Sequence, residues 1–301
     1  SNNTAVGSSA LASNTTGTEN NAFGVGALDA NTTGDENNAV GRGALGANTT
    51  ADGNNAFGDD ALSLNVTGTG LSAFGHRALQ YSTVSNNTAV GALALSANTT
   101  GADNVAVGKD ALDANTTGDS NTAVGKGALT TNTTADNNTA LGFFTLLAST
   151  TGTNNTAVGS LALDANTTGS QNTGIGVQSL SANTTAASGT AIGYAALLSN
   201  TTGCCNTGLG KSAMQVNTTG QENAAVGDSA LYSNTSADNN TAIGATALYA
   251  NTTGEANTAV GKGAADSVTT GSDNTAIGYL ALSSVTTGSL NTCVGDESGS
   301  N

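Results

Sequence analysis

One feature constrains this chain more than any other: a glycine preceded by a large apolar residue returns every 17 residues. The apolar residue stands at Val6, Phe23, Val40 and so on to Ile277 and Val294, which makes 18 units. Sixteen of the 17 intervals are 17 residues, and the interval from Phe74 to Val90 is 16. A period of this length, kept through a whole chain, is the signature of a stacked repeat architecture. The array runs from residue 1 to residue 301 as a single continuous domain with no separate flanking domain. Both ends fall inside a unit, so the expectation is a segment of a longer protein.

The consensus is Asn-Thr-Ala-Val-Gly-x-x-Ala-Leu-x-x-Asn-Thr-Thr-Gly-x-x, numbered here as positions 1 to 17. Position 4 is apolar and position 5 is Gly in all 18 units, and position 9 is Leu in 15, the exceptions being Met214, Ala265 and Gly299. Position 3 is small, with Cys293 the one departure from Ala or Gly, and position 8 is Ala, Ser or Thr. All 21 acidic and all 6 basic residues fall at positions 6, 7, 10, 16 or 17. Confinement of charge to five positions implies that these face water while the rest face a core or a neighbour. The one short unit lacks a residue near Ser85, in the polar turn where a deletion costs least.

No stretch shows the 3.6-residue spacing of an amphipathic helix. Short Thr-, Val- and Ile-rich segments bounded by Gly and Asn read as strands. The expected fold is therefore all-β: a β-solenoid of about 18 stacked 17-residue coils, packed as a homo-oligomeric fibre. Each coil is expected to carry one strand at Thr-Ala-Val-Gly and a second near Ala-Leu or Asn-Thr-Thr. Gly at position 5 suits a corner with positive φ or close backbone approach. Asn at position 12 suits an inward ladder of side-chain amides. Coils about 4.8 Å apart would give a rod on the order of 85 Å long. Positions 4 and 9 offer two large apolar side chains per coil, a thin core for 17 ordered residues. Small residues at positions 3 and 8 would let the backbone of another copy approach, so several copies are expected to share a core. The alternative is a monomeric solenoid with an Ala-lined interior. Disorder is the other reading of so polar a chain, but a disordered tract has no reason to keep a Leu every 17 residues.

Composition narrows the function. Charged residues are 9% of the chain, against roughly 25% in an average domain, and the net charge is −15. Such a chain presents no positive surface for nucleic acid, and no membrane contact by this segment is expected. A catalytic site needs unlike residues to converge, whereas this sequence repeats the same ones. His76, the single His, falls among the solvent-facing positions, and no second His can serve as base to a Ser or Cys nucleophile. No catalytic, cofactor-binding or metal-ligating residue is assigned, and no enzyme activity is expected. Cys204 and Cys205 lie in a turn, either as free thiols or as a cross-link to a neighbouring chain. Cys293 reads as a small packed residue. Acidic turns such as Asp35-Glu36 and Asp59-Asp60 offer oxygen ligands for Ca²⁺, but they vary from unit to unit and lack the ordered Asp spacing of calcium-binding repeats, so plain solvated charge is the preferred reading. Thr pairs such as Thr116-Thr117 and Thr252-Thr253 form columns that either satisfy turn hydrogen bonds or bind an ordered surface such as ice or a glycan. Asn-Thr-Thr matches the N-glycosylation sequon, but a stacked Asn cannot carry a glycan.

Asn121-Thr-Ala-Val-Gly and Asn274-Thr-Ala-Ile-Gly resemble the head repeats of trimeric autotransporter adhesins. The full unit, with Asn-Thr-Thr-Gly after Ala-Leu, is similar to repeat arrays of secreted surface adhesins in Bacteroidota. Among these are the grappling-hook filament proteins of filamentous predatory bacteria. More distantly it resembles the shafts of phage tail fibres. The resemblance covers the whole chain, and it implies an extracellular, cell-surface filament or adhesin that attaches to another cell or surface. Its implied partners are copies of itself, from a trimer to a ring of about seven chains, and the surface of another cell. The alternatives it leaves are a phage or injection-system tail-fibre shaft and an ice- or glycan-binding solenoid.

Overall fold

In the computed structural model, which describes residues 2–300, each 17-residue unit is one coil. Among the described residues there is no helix, and every element is a three-residue strand. The contacts divide the chain into two units, Ser1–Thr151 and Gly152–Asn301. The first holds nine strands, from β1 (Thr4–Val6) to β9 (Thr139–Leu141), and the second holds nine more, from β10 (Thr156–Val158) to β18 (Thr292–Val294). Within each unit consecutive strands pair in parallel, with like positions opposite each other, as in Ala5↔Ala22 and Ile175↔Ile192. The all-β solenoid expected from the period is therefore present in both units. The short interval leaves the register intact, since Ser72 pairs with Thr88 and Phe74 with Val90. The deletion is absorbed in the turn, where the Ser85 hydroxyl accepts the Thr69 backbone N–H.

Only one strand forms per coil. The expected second strand is replaced by turns, because the backbone crosses to positive φ at positions 7, 9 and 17, as at Asp110 (59°), Leu112 (52°) and Ser120 (57°). Within this coil the Ala111 N–H donates to the Gly108 carbonyl and the Asn115 N–H to the Leu112 carbonyl, closing two turns. Inter-coil bonds continue through the turns, for example Leu112 N–H to the Ala128 carbonyl and Thr116 N–H to the Thr133 carbonyl. A leucine in the left-handed region costs about 1–2 kcal/mol. The geometry persists because it points the side chain inward, where Leu112 has no exposed surface.

Position 5 must be glycine for two separate reasons. Gly193 has φ 136°, where L side chains are strained, and a Cβ there would stand 2.5 Å from the Gly210 carbonyl oxygen of the next coil. Position 3 is tightly bounded too: a Cβ at Gly174 would lie 3.3 Å from Leu163 Cδ1 of the preceding coil. The interior is therefore narrow, lined by the Ala of positions 3 and 8 and the Leu of position 9. These small residues belong to the chain's own core, which is the Ala-lined interior weighed as the alternative above. Strand alternation then sends position 4 outward. Val90, Ile192 and Val226 are 37–39% exposed, which corrects the expectation that position 4 would join Leu in the core.

The rest of the interior is asparagine. The position-12 amides form the expected ladder, with Asn234 Nδ2 donating to Asn217 Oδ1 at 2.7 Å and Asn217 Nδ2 to Asn200 Oδ1 at 2.8 Å. A second buried column occupies position 1. Asn223 Nδ2 donates to the Ala237 carbonyl at 2.8 Å, and its backbone N–H donates to Asn206 Oδ1 at 3.0 Å. Both columns converge on the carbonyl of position 15, since Asn234 Nδ2 also donates to Ala237 O at 3.0 Å. At the Ser82 break the Asn65 Oδ1 accepts the Gly68 N–H at 2.9 Å, but at two other breaks in the position-12 column the last acceptor is orphaned. Asn132 Oδ1 precedes Ser149, Asn251 Oδ1 precedes Val268, and both oxygens are buried without a partner.

Asn217→Ala removes three hydrogen bonds and strands the Asn200 acceptor, so the expected cost is about 2–4 kcal/mol. Gly193→Ala is expected to cost about 3 kcal/mol through strain and overlap. Urea unfolding followed by far-ultraviolet circular dichroism checks both. Exposed controls such as Thr117→Ala should shift the curve by less than about 0.5 kcal/mol.

Candidate functional surface

With the interior fully used by Ala, Leu and Asn, whatever this chain does it does with its outside. Strand positions 2 and 4 share the outer face of the sheet in each unit. Position 2 is mostly Thr and position 4 is Val, Ile, Leu or Phe, and no charged residue occurs at either in any coil. Side chains line up along the column, and the Phe57 and Phe74 rings stack with centroids 4.9 Å apart and planes 6° from parallel. The result is a neutral, half-apolar stripe on an otherwise acidic molecule.

The charges lie elsewhere, as their phase predicts: none of the charged side chains is among the buried residues. Many do structural work at the surface. The position-16 aspartates accept backbone N–H groups of the preceding coil, as Asp52 Oδ1 does from Asp35 N–H at 2.8 Å and Asp136 Oδ1 from Asp119 N–H at 2.8 Å. Ser170 and Ser272 do the same through their hydroxyls. The acidic turns are thus hydrogen-bonding caps as well as solvated charge. Ion pairs are exposed and few: Arg42 meets Asp59 at 2.9 Å and Asp60 at 3.5 Å, and Lys109 meets Asp110 at 3.6 Å. The hydrogen bond to Asp59 raises the Arg42 pKa further above its ordinary value. Asp113 is the one carboxylate displaced upward, first by burial and then by repulsion from Asp110, with Oδ1 buried and unpartnered.

The residues singled out from the sequence do not converge. His76 is exposed. Cys204 and Cys205 are free thiols whose sulfurs lie 3.0 Å apart in a surface turn, and the contact with Cys204 raises the Cys205 pKa. Cys293 is free and half-buried. Among the described residues no three His, Cys, Asp or Glu side chains group so as to hold a metal. No helix among them is long and apolar enough to cross a membrane. The inner Thr of each pair is committed to the fold: Thr116 Oγ1 donates to the Thr133 carbonyl at 3.0 Å and Thr252 Oγ1 to the Thr269 carbonyl at 3.1 Å. Thr117 and Thr253 are exposed. The sequon asparagines Asn31 and Asn251 are fully buried. Sequence reasoning passed over position 1, although Asn stands there in 16 of 18 coils. That persistence, at a place where no acid ever substitutes, was the available signal.

No known protein-family model matches the chain, and no curated protein matches it.

The raised Asp113 pKa carries a sign. The folded state prefers the protonated acid, so its ionisation opposes folding as pH rises through the folded pKa. Asp113→Asn should therefore raise the unfolding midpoint at pH 7, and that gain should vanish below the ordinary carboxyl range. Thermal melts of both proteins across pH 3 to 7 check this, and a gain that is the same at every pH would contradict it.

Proposed function

We propose that this chain is a structural subunit of an extracellular homo-oligomeric filament or adhesin that attaches to another cell or surface, with a mechanical rather than catalytic role. The observation that carries the proposal is the neutral stripe of positions 2 and 4. Each copy bears a net charge of −15, so two copies repel wherever charged columns meet. The stripe is a face on which they approach without like charges opposed, and it brings apolar side chains that gain from burial. Each coil contributes roughly 50 Å² of this face, three residues by one coil spacing. A lasting contact needs about 800 Å² per partner, which favours a long array over a short one. Backbone bonds between successive coils, most of them inside turns as well as strands, suit a stack that resists proteases outside a cell. The acidic outside gives no purchase to nucleic acid. The adhesin-like repeat resemblance supplies the attachment role and the cell-surface setting.

The test is the solution mass. Light scattering after gel filtration should give a mass above the 28.9 kDa of one chain. The outer-face variant Val90→Glu, Ile192→Glu, Val226→Glu, Ile243→Glu should fall to the single-chain mass while keeping its circular dichroism spectrum. A wild-type chain that runs as a monomer at every concentration, or a variant whose mass does not change, would contradict the proposal.

A further inference from the structure

A local departure from the repeat creates a cleft in the second unit. Position 10 points outward and varies from coil to coil without an aromatic, except in two consecutive coils where it is Tyr232 and Tyr249. Their rings stack with centroids 5.2 Å apart and planes 13° from parallel. In the next coil position 10 is Asp266, so the aromatic column stops and a short carboxylate stands where a third ring would lie. One face of Tyr249 is thereby left over a cleft of about 490 Å³, lined by Thr246, Tyr249, Ala250, Asp266 and Ser267. That volume is within the range of small-ligand sites.

The polar atoms around the step have a common character. The Thr246 hydroxyl donates to the Ala245 carbonyl at 2.8 Å, and the Ser267 hydroxyl donates to Asp266 Oδ1 at 3.3 Å. With their protons spent on the protein, both hydroxyls meet a ligand as acceptors. Asp266 Oδ2 is an acceptor as well. The cleft thus offers one flat aromatic face and a rim of acceptors. We infer that it binds a neutral pyranose sugar, whose apolar C–H face lies on Tyr249 while its hydroxyls donate to Asp266, Ser267 and Thr246. A quaternary ammonium would use the ring and the carboxylate but has no protons for the hydroxyl acceptors, and it would meet a single ring rather than a cage. An anionic sugar would meet Asp266 and an acidic chain. This inference deepens the attachment reading by naming the chemistry held, and rests on that reading for its biological setting. The cleft itself lies within one chain and needs no oligomer.

The experiment is titration of the full chain with neutral hexoses, N-acetylhexosamines and their β-1,4-linked dimers. It is followed by saturation-transfer NMR and by tyrosine fluorescence, which is readable because the chain has no Trp and 5 Tyr. Tetramethylammonium and N-acetylneuraminic acid are run in parallel. At least one neutral sugar is expected to bind with a millimolar Kd, as befits a shallow site. Tyr249→Ala and Asp266→Ala should each weaken it at least about tenfold, Tyr249→Phe should retain it, and Tyr194→Ala on a distant coil should leave it unchanged. No saturable response from any sugar at roughly 100 mM, a response to tetramethylammonium alone, or unchanged binding by Tyr249→Ala would overturn the inference. The solution mass of the same samples reports separately on self-association, so loss of the sugar site and loss of the filament reading are distinguishable.

Discussion

Two asparagine amides on one carbonyl are what make a 17-residue coil possible. A coil this tight cannot enclose an apolar core of ordinary thickness, and its turns would leave backbone groups without partners. Asn37 and Asn48 answer both problems at once by donating to the Ala51 carbonyl at 2.8 and 3.0 Å from opposite sides. The Asn37 and Asn54 backbone N–H groups are taken up by Asn20 Oδ1 and Asn37 Oδ1, each at 3.0 Å, so each amide also ties one coil to the next. Buried polar groups of this kind are costly when half satisfied. Here the repeat satisfies each amide through the coil beside it, and the two asparagine oxygens left unpartnered, Asn132 Oδ1 and Asn251 Oδ1, stand where the next coil lacks its position-12 Asn. The same convergence keeps position 15 small, since a Cβ at Gly220 would meet Asn217 Oδ1 at 2.6 Å and Asn234 Nδ2 at 2.8 Å.

That interior decides what the outside looks like. Because Ala fills position 3 against Leu, the larger residue of the strand turns to solvent, and the outer face of the sheet becomes both apolar and free of charge. Charges then occupy the corners, where Asp52 and Asp136 cap backbone N–H groups. A molecule organised this way keeps its acidic edges in water and leaves the outer face of the sheet neutral. The proposed filament subunit, with the inferred sugar cleft at one break in a column, would use that division of labour.

Much of this was legible in the sequence, and the failures have physical causes. The period dictated parallel in-register stacking, the invariant Gly marked a corner with positive φ and close approach, and the Asn at position 12 marked an amide ladder. Position 4 was misplaced because apolarity alone does not say on which side of a strand a Val lies. Only the contact between position 3 and Leu163 shows that the interior has no room for it. The second strand was misjudged because Leu is an unusual residue for the left-handed region, and nothing in its chemistry advertises φ near 52° at Leu112. The Tyr249 cleft escaped notice because it depends on an irregularity, a missing third ring, that a consensus averages away.

The buried amide columns are tested most directly by hydrogen exchange of asparagine side chains in NMR spectra of the isotopically labelled chain. The Nδ2 protons of positions 1 and 12, such as Asn223 and Asn217, should be protected by orders of magnitude relative to an exposed asparagine such as Asn239. Exchange of Asn223 and Asn217 at the rate of Asn239 would show that the amides face water, and the account of the coil would fail with them.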